Sequence, residues 1–133
     1  DWEQYYYTAI PVIYSPQFYR DHNDWMERRK NTLSTVFGNK DFINAMIRLT
    51  NSSSNYDVRL RLREVSCPTL IVSCPQDYLT PMEEQKYLAD RIPDSHYAMI
   101  ENSGHASMYE QPLLFTALIL GFTNSVKSGF TIV

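Results

Sequence analysis

Hydrophobic positions between residues 1 and about 64 recur at the spacing of α-helices joined by polar turns. One helix is predicted to place five apolar side chains near a single face: Trp25, Met26, Leu33, Val36 and Phe37. Gly38 and Asn39 should end that helix, and a shorter one is expected over residues 42–49. The serine-rich stretch at 51–55 is expected to be a loop.

From Val65 onward the pattern changes to alternating strands and helices. The β-branched, apolar run at 69–73 predicts a strand that is buried on both faces. Thr80 begins a capping box with proline at the first helical position, so a helix is predicted up to about Ile92. A second strand is predicted at 96–100, and a long apolar helix should begin at Gln111 and Pro112.

This order of strand, helix, strand and helix predicts an α/β fold with two parallel strands joined by a right-handed crossover. Parallel strands need both faces covered, and a sheet of two strands is too small to stand alone. We therefore expect the last strands of a larger sheet. The chain begins with Asp1 rather than methionine, which favours a piece of a longer protein.

The composition is that of an ordinary globular protein and excludes several partners. The 133 residues carry a formal net charge of −3, which provides no basic face for nucleic acid. The longest apolar stretch, at 113–122, is too short to span a membrane. No metal or nucleotide motif is present, so no cofactor is expected.

The two cysteines bound one predicted strand and cannot bond to each other. Cys67 and Cys74 would lie about 23 Å apart at 3.3 Å per residue, whereas a disulfide needs α-carbons roughly 4.4–6.8 Å apart. We interpret both as small buried side chains. Reduced thiols also favour the cytoplasm as the location of the protein.

Two side chains suggest chemistry because each follows a predicted strand. Asp77 lies in the loop that leaves the first strand, and His105 lies in the loop that leaves the second. Adjacent parallel strands are about 4.8 Å apart, and ligands bind beyond their carboxyl ends. Both side chains should therefore emerge at one edge, within hydrogen-bonding reach. Read singly, Asp77 could instead cap the following helix, and His105 could bond to the backbone.

The same half of the chain resembles the C-terminal part of the α/β-hydrolases over residues 56–123. The resemblance rests on motifs in the family's order. The first is Tyr56–Leu62, which resembles the segment that leads from the helical cap to the core. It is followed by Val65–Asp77, a strand that begins after a proline and the loop that carries the acidic residue. The others are the helix start Thr80-Pro81, the turn Ile92–Ser95, the segment Asn102-Ser-Gly-His105 that carries the catalytic base, and Glu110-Gln-Pro112 at the start of the last helix. Cys74 departs from the pattern, since many relatives have glycine there.

The resemblance implies roles for the two candidate residues. His105 would be the catalytic base, and Asp77 would orient its imidazole and stabilise the charged form. Gly104 would let the loop turn tightly before the histidine. Residues 1–64 would form a helical cap, or lid, and residues 65–133 the C-terminal part of the hydrolase core.

The sequence does not contain the nucleophile of such a triad. No Gly-x-Ser-x-Gly motif occurs in it, so the chain alone is expected to be inactive. The resemblance implies a parent protein that acts on a small ester, lactone or thioester, with nucleophile and oxyanion hole in an N-terminal half. Acyl transfer by the same machinery, or a non-catalytic binding module, remain as alternatives.

Two further expectations concern surfaces. Aromatic side chains of the helical half could line an apolar substrate pocket or could simply pack: Trp2, Tyr5, Tyr6, Tyr7, Tyr14, Phe18, Tyr19 and Trp25. The strand at 69–73 should lack a neighbour in the isolated chain. We expect self-association through that edge or the surrounding apolar surface.

Overall fold

Helices precede a strand–helix–strand–helix unit. The computed structural model describes residues 2–128, so Asp1 and residues 129–133, which the sequence analysis assigned to the cap and core segments, lie outside the described part. The first half contains α1 (Trp2–Ile13), α2 (Pro16–Asp21), α3 (Asn23–Phe37) and α4 (Lys40–Ser53), then a 3₁₀ helix at Arg59–Glu64. The second half contains β1 (Thr69–Ser73), α5 (Met82–Ala89), β2 (Ser95–Met99), α6 (Ser107–Glu110) and α7 (Pro112–Ser128). The predicted α/β class and order of elements are confirmed.

The two strands pair in parallel, as predicted. Thr69 lies opposite Ser95, and Ser73 lies opposite Met99. The backbone N–H of Ile100 donates to the carbonyl oxygen of Ser73 at 2.9 Å, which continues the pairing to the ends of both strands. The loops that leave the strands therefore start side by side.

The prediction that the first strand is buried on both faces is wrong for the described chain, because Ile71 and Ser73 are buried whereas Leu70 and Val72, on the opposite face, are only partly buried. Ile71 packs with Leu62 and Ile92, so the 3₁₀ helix and the end of the crossover cover one side of β1. On β2, by contrast, Tyr97 is 37% exposed and Met99 is 41% exposed. Within residues 2–128 no further layer covers these side chains, which is why apolar strand positions stay open to solvent.

In the first half of the chain, the helices begin and end near the residues that favour helix ends, except at the end of α4. The Ser15 hydroxyl accepts the N–H of Phe18 at 3.1 Å and caps α2, with Pro16 at the first helical position. The predicted loop at 51–55 is wrong, because α4 continues to Ser53. The hydroxyls of Ser52 and Ser53 both donate to the carbonyl oxygen of Leu49, so these serines bond to the preceding turn of the helix.

The core of the helical half extends to the loop that carries His105. Tyr6 and Ile10 of α1 and Met26 of α3 form a buried cluster with Tyr14 and Ala106. The buried Tyr6 hydroxyl donates to the carbonyl oxygen of Met26 at 2.7 Å, which satisfies its polar atom. Burying a large apolar side chain contributes about 1.5–3 kcal/mol, so this cluster fixes α1 and α3 against residue 106. None of the helices within residues 2–128 has the length and apolar character that a membrane span requires.

Candidate active site

The candidate site lies where the two strand-exit loops meet. The chain turns after β1 through a hydrogen bond from the N–H of Asp77 to the carbonyl oxygen of Cys74 at 3.1 Å. The N–H of Gln76 donates to the carbonyl oxygen of Ser103 at 3.2 Å and joins this loop to the one after β2. Backbone geometry alone thus brings residues 77 and 105 to one edge of the sheet.

Asp77 and His105 are in direct contact at this edge. The Nδ1 atom of His105 lies 3.0 Å from the Oδ2 atom of Asp77. A carboxylate only accepts hydrogen bonds, so Nδ1 carries the proton of this bond, and in the neutral imidazole Nε2 is then the acceptor. The carboxylate is 5% exposed and the imidazole is 43% exposed. This arrangement leaves the imidazole accessible while its orienting partner is shielded from water.

The two oxygen atoms of Asp77 have different partners. Oδ1 accepts the backbone N–H groups of Leu79 and Thr80, each at 2.9 Å. Oδ2 accepts from His105 and from the Thr80 hydroxyl, the latter at 2.6 Å. Asp77 therefore holds the turn before α5 with one oxygen and faces the imidazole with the other. Both expectations for this residue, a capping role and contact with the histidine, are met.

Hydrogen bonding sets the protonation state of Asp77. Burial acts to raise its pKa, but the hydrogen bonds from Thr80, His105 and Leu79 outweigh burial and hold the pKa below its ordinary value. The group is consequently an anion at neutral pH. An anion beside Nδ1 stabilises a proton on that nitrogen and would stabilise a charged imidazolium.

Sequence reasoning misassigned Thr80 and missed Gln85. Thr80 does not cap α5, because its hydroxyl donates to Asp77 and Pro81 occupies the N-cap position without a side-chain bond. Gln85 is buried and donates from Nε2 to the Thr80 carbonyl oxygen at 2.6 Å and to its hydroxyl oxygen at 3.3 Å. Gln85 thus fixes Thr80, which in turn fixes the carboxylate. The sequence carries no signal for this role, because Gln85 is one of several polar residues in its helix.

The loop before His105 contains an unusual backbone conformation at Asn102. Its φ of 54° lies in the left-handed region, which asparagine tolerates better than most residues. Ser103 follows and is fully buried. This turn directs the chain from the end of β2 back across the sheet edge toward residue 105.

Gly104 is required by a close approach between chain segments rather than by the turn. An added Cβ atom would lie 2.8 Å from the backbone nitrogen of Ser15 and 3.0 Å from the carbonyl oxygen of Ile13. These are main-chain atoms, which cannot move aside as a flexible side chain can. The expectation that Gly104 serves a tight turn is therefore replaced by a packing requirement against the α1–α2 junction.

Replacing Gly104 by alanine should destabilise the protein by about 1–3 kcal/mol, because overpacking forces two backbone segments apart. Gly121→Ala is the matched control, since a Cβ at position 121 meets no atom within 4 Å. The control should leave stability unchanged or raise it, because alanine favours helix. Equilibrium unfolding in urea measures both variants. Equal stabilities for the two variants would contradict the packing role of Gly104.

Glu110 connects the histidine loop to the helical half. Its Oε1 atom accepts the N–H of Ser15 at 3.0 Å and the N–H of Gly104 at 3.1 Å. Beside it, the N–H of Ala106 donates to the carbonyl oxygen of Ile13 at 3.1 Å. These bonds fix the backbone on both sides of His105. The sequence analysis treated Glu110 only as part of a helix-start motif.

An apolar cavity of about 280 Å³ opens beside His105. It is lined by the side chains of α1, α3 and the residues that follow His105, including Tyr6 and Tyr14 from the aromatic set that the sequence analysis considered for a pocket. Arg29 is the cationic residue in its lining. Burial raises the pKa of Tyr14, and the nearby Arg29 guanidinium opposes that rise.

The cysteines are both unpaired and differ in exposure. Cys74 is buried as expected, and burial raises the pKa of its thiol. The expectation is wrong for Cys67, which is exposed because it precedes the strand. Within residues 2–128, no three His, Cys, Asp or Glu side chains are grouped so that they could hold a metal ion.

Known proteins that resemble this chain share its fold. No family model matches the sequence. The α/β-hydrolase MGS-M2 from a Medee basin deep-sea metagenome library superposes with a TM-score of 0.87 at 51% identity, over 92% of this chain and 45% of that one. The serine hydrolase CarC, involved in carbazole degradation, gives a TM-score of 0.76 at 24% identity, over 93% of this chain and 48% of its own.

Curated relatives match over shorter stretches. "Putative carbamate hydrolase RutD" of Pseudomonas savastanoi pv. phaseolicola (strain 1448A / Race 6) is 30% identical over 80 residues, which are 60% of this chain and 31% of that protein. Proline iminopeptidase of Heyndrickxia coagulans is 28% identical over 108 residues, which are 77% and 36% of the two chains. The chain thus spans about a third to a half of the length of these relatives. In its fold, this chain belongs to the α/β-hydrolases and corresponds to their C-terminal part.

Proposed function

We propose that this chain is the C-terminal part of a hydrolase that cleaves a small ester, lactone or thioester, with His105 as general base and Asp77 as the acid that orients it. One observation carries the proposal: an accessible imidazole is held through Nδ1 by a shielded carboxylate at 3.0 Å. That pairing leaves Nε2 ready to take a proton, which is the geometry that nucleophilic acyl transfer requires.

The proposed reaction proceeds in two halves. His105 Nε2 accepts the hydroxyl proton of a serine as that oxygen attacks the substrate carbonyl, and the resulting imidazolium is stabilised by the Asp77 anion. The proton then passes to the leaving group, and an acyl-enzyme forms. His105 next removes a proton from water as the water oxygen attacks the acyl carbonyl. Transfer of that proton to the serine oxygen then breaks the acyl–serine bond and releases the acid. The serine and the oxyanion hole belong, in this proposal, to an N-terminal half that completes the sheet, since this sequence has no Gly-x-Ser-x-Gly motif.

The helical half would act as the cap over the substrate. Residues 1–64 are proposed as this cap and residues 65–133 as part of the core. The cavity beside His105 supports the proposal, because α1 and α3 form much of its wall. The unpaired cysteines are compatible with a reducing compartment, so we place the protein in the cytoplasm.

The proposal is tested by labelling with a fluorophosphonate probe, which reacts with activated serines. The full-length protein should be labelled and should hydrolyse p-nitrophenyl esters, whereas this chain alone should do neither. Labelling of the isolated chain would contradict the assignment of the nucleophile to an N-terminal half. A full-length protein that neither reacts with the probe nor turns over esters would contradict the proposed function.

The isolated chain is also expected to self-associate. Leu113 on α7 is 87% exposed, and the open positions Tyr97 and Met99 add apolar surface on the sheet. The outer edge of β1 has no strand partner within residues 2–128. Sedimentation velocity over a range of concentrations should show oligomers that grow with concentration. A monomer at high micromolar concentration would contradict this expectation.

A further inference from the structure

The cavity beside His105 contains a charge that its apolar wall does not explain. Its lining includes apolar side chains of α1 and α3, among them Ile10, Leu33 and Phe37, yet Arg29 also lines it. A guanidinium stays charged in proteins, and removing it from water costs free energy unless hydrogen bonds or an opposite charge compensate. Arg29 is partly buried, and its Nε atom is the part that is shielded from water, so that atom in particular requires a partner.

The partners that Arg29 has are neutral and leave one nitrogen unpaired. Its Nη2 donates to the Tyr109 hydroxyl over a long 3.5 Å, and its side chain also hydrogen-bonds to that of Tyr14. Its guanidinium carbon lies 5.0 Å from the centroid of the Tyr109 ring and 6.0 Å from that of Trp25. The buried Nε atom has no hydrogen-bond partner. Within residues 2–128, no carboxylate lies within 4 Å of the guanidinium.

We propose that Arg29 binds a carboxylate of the substrate, so that the preferred substrates are small apolar esters, lactones or thioesters that carry a second, anionic group. This inference rests on the proposed function, and it goes further by naming the substrate class. The planar guanidinium can donate two parallel hydrogen bonds to a carboxylate. In an apolar cavity such charge-assisted bonds are stronger than in water.

The cavity orients such a substrate with respect to His105. The imidazole and Arg29 line the same space of about 280 Å³, which is near the lower end of the range for ligand pockets. A substrate whose carboxylate is held by Arg29 would extend its apolar part along α1 toward the histidine. Arg29 is thus a specificity-determining residue and takes no part in the proton transfers.

A purely structural role for Arg29 makes a different prediction. Long arginine side chains pack on aromatic rings without binding any ligand. In that case the cavity would bind neutral molecules at least as well as anions. Comparison of one molecule in charged and neutral form separates the two roles.

The first experiment measures binding and needs no turnover. Phenylacetate and phenylacetamide are titrated into the full-length protein at neutral pH by calorimetry. The wild type should bind phenylacetate about tenfold more tightly or better, as expected for charge-assisted hydrogen bonds. Arg29→Gln should remove this preference, whereas Arg28→Gln, at an exposed position one residue earlier on α3, should keep it. Equal binding of both compounds by the wild type, or binding of neither, would overturn the proposal.

The second experiment measures specificity in catalysis. Mono-p-nitrophenyl glutarate is compared with its methyl ester, which has the same chain without the charge. The ratio of kcat/KM for acid over methyl ester should fall about tenfold or more in Arg29→Gln and stay at the wild-type value in Arg28→Gln. An unchanged ratio in Arg29→Gln overturns the inference. If the wild type hydrolyses neither ester, the proposed function fails, and the calorimetry still decides whether the cavity prefers the anion. If Arg29→Gln does not fold, the binding of phenylacetate and phenylacetamide by the wild type still tests the inference.

Discussion

Replacing His105 by alanine should lower kcat of the full-length protein by about a thousandfold or more. The variant loses the only group at the sheet edge that the proposed mechanism uses to move protons in both halves of the reaction, and removal of a triad member typically has an effect of this size or larger. The readout is hydrolysis of p-nitrophenyl esters, with KM determined separately. Because the imidazole is partly exposed, the substitution should leave the fold intact.

His22→Ala is the control for this substitution. His22 is exposed, directly precedes α3 and stacks on Phe18, whose carbonyl oxygen lies 3.2 Å from its Nδ1 atom. Its replacement should leave kcat close to the wild-type value. Added imidazole should restore part of the activity of His105→Ala, since it can occupy the vacated space. Wild-type activity in His105→Ala would contradict the proposed role directly.

Asp77→Asn should lower kcat by about a hundredfold to ten-thousandfold while changing stability little. Asparagine keeps an oxygen that can accept the N–H groups of Leu79 and Thr80, so the turn before α5 is retained. Its amide nitrogen would face Nδ1 of His105 and favour the wrong tautomer. Asp77→Ala should lose both functions, because two backbone N–H groups are left without their acceptor at a cost of about 1–3 kcal/mol each.

The separation of the two effects can be measured. Ester turnover should be low in both Asp77 variants, whereas urea unfolding should show a large loss of stability only for alanine. Equal loss of stability in both variants would show that the oxygen facing His105, rather than the one holding the turn, stabilises the loop. Wild-type turnover in Asp77→Asn would exclude Asp77 as the orienting acid.

The pH dependence of stability tests the same carboxylate. Its pKa is lower in the folded chain than the ordinary value of about 3.9 for an unfolded chain. Such a group contributes stability that is fully present above the unfolded pKa and is lost as the pH falls through the folded pKa. The stability difference between wild type and Asp77→Ala, which is large at neutral pH, should therefore shrink as the pH falls below about 4.

The position of the candidate pair could be predicted because it depends on local patterns. The strand at 69–73 and the helix that follows were visible from hydrophobic spacing and from proline positions. Parallel pairing then requires the loops after both strands to leave at the same edge. Asp77 and His105 were found in this way from elements about thirty residues apart, without knowledge of the rest of the fold.

The supports of the pair could not be predicted because they join distant parts of the chain. Glu110 bonds to a backbone group 95 residues away, and the requirement for glycine at 104 arises from the backbone at residues 13–15. Neither contact leaves a periodic signal in the sequence. Likewise, the exposure of β2 depends on which other elements surround the sheet, whereas its strand character depends only on its own residues.

The shared oxygen of Glu110 limits how the proposed cap could open over this site. It accepts a hydrogen bond from the N–H of Ser15 at the α1–α2 junction and another from the N–H of Gly104 in the histidine loop. Moving these segments apart would therefore leave at least one N–H group without its acceptor. A hinge located before Ser15 is therefore unfavourable. In the proposed function, entry of a substrate would then require displacement of chain beyond that residue, with α1 staying in place beside the histidine loop.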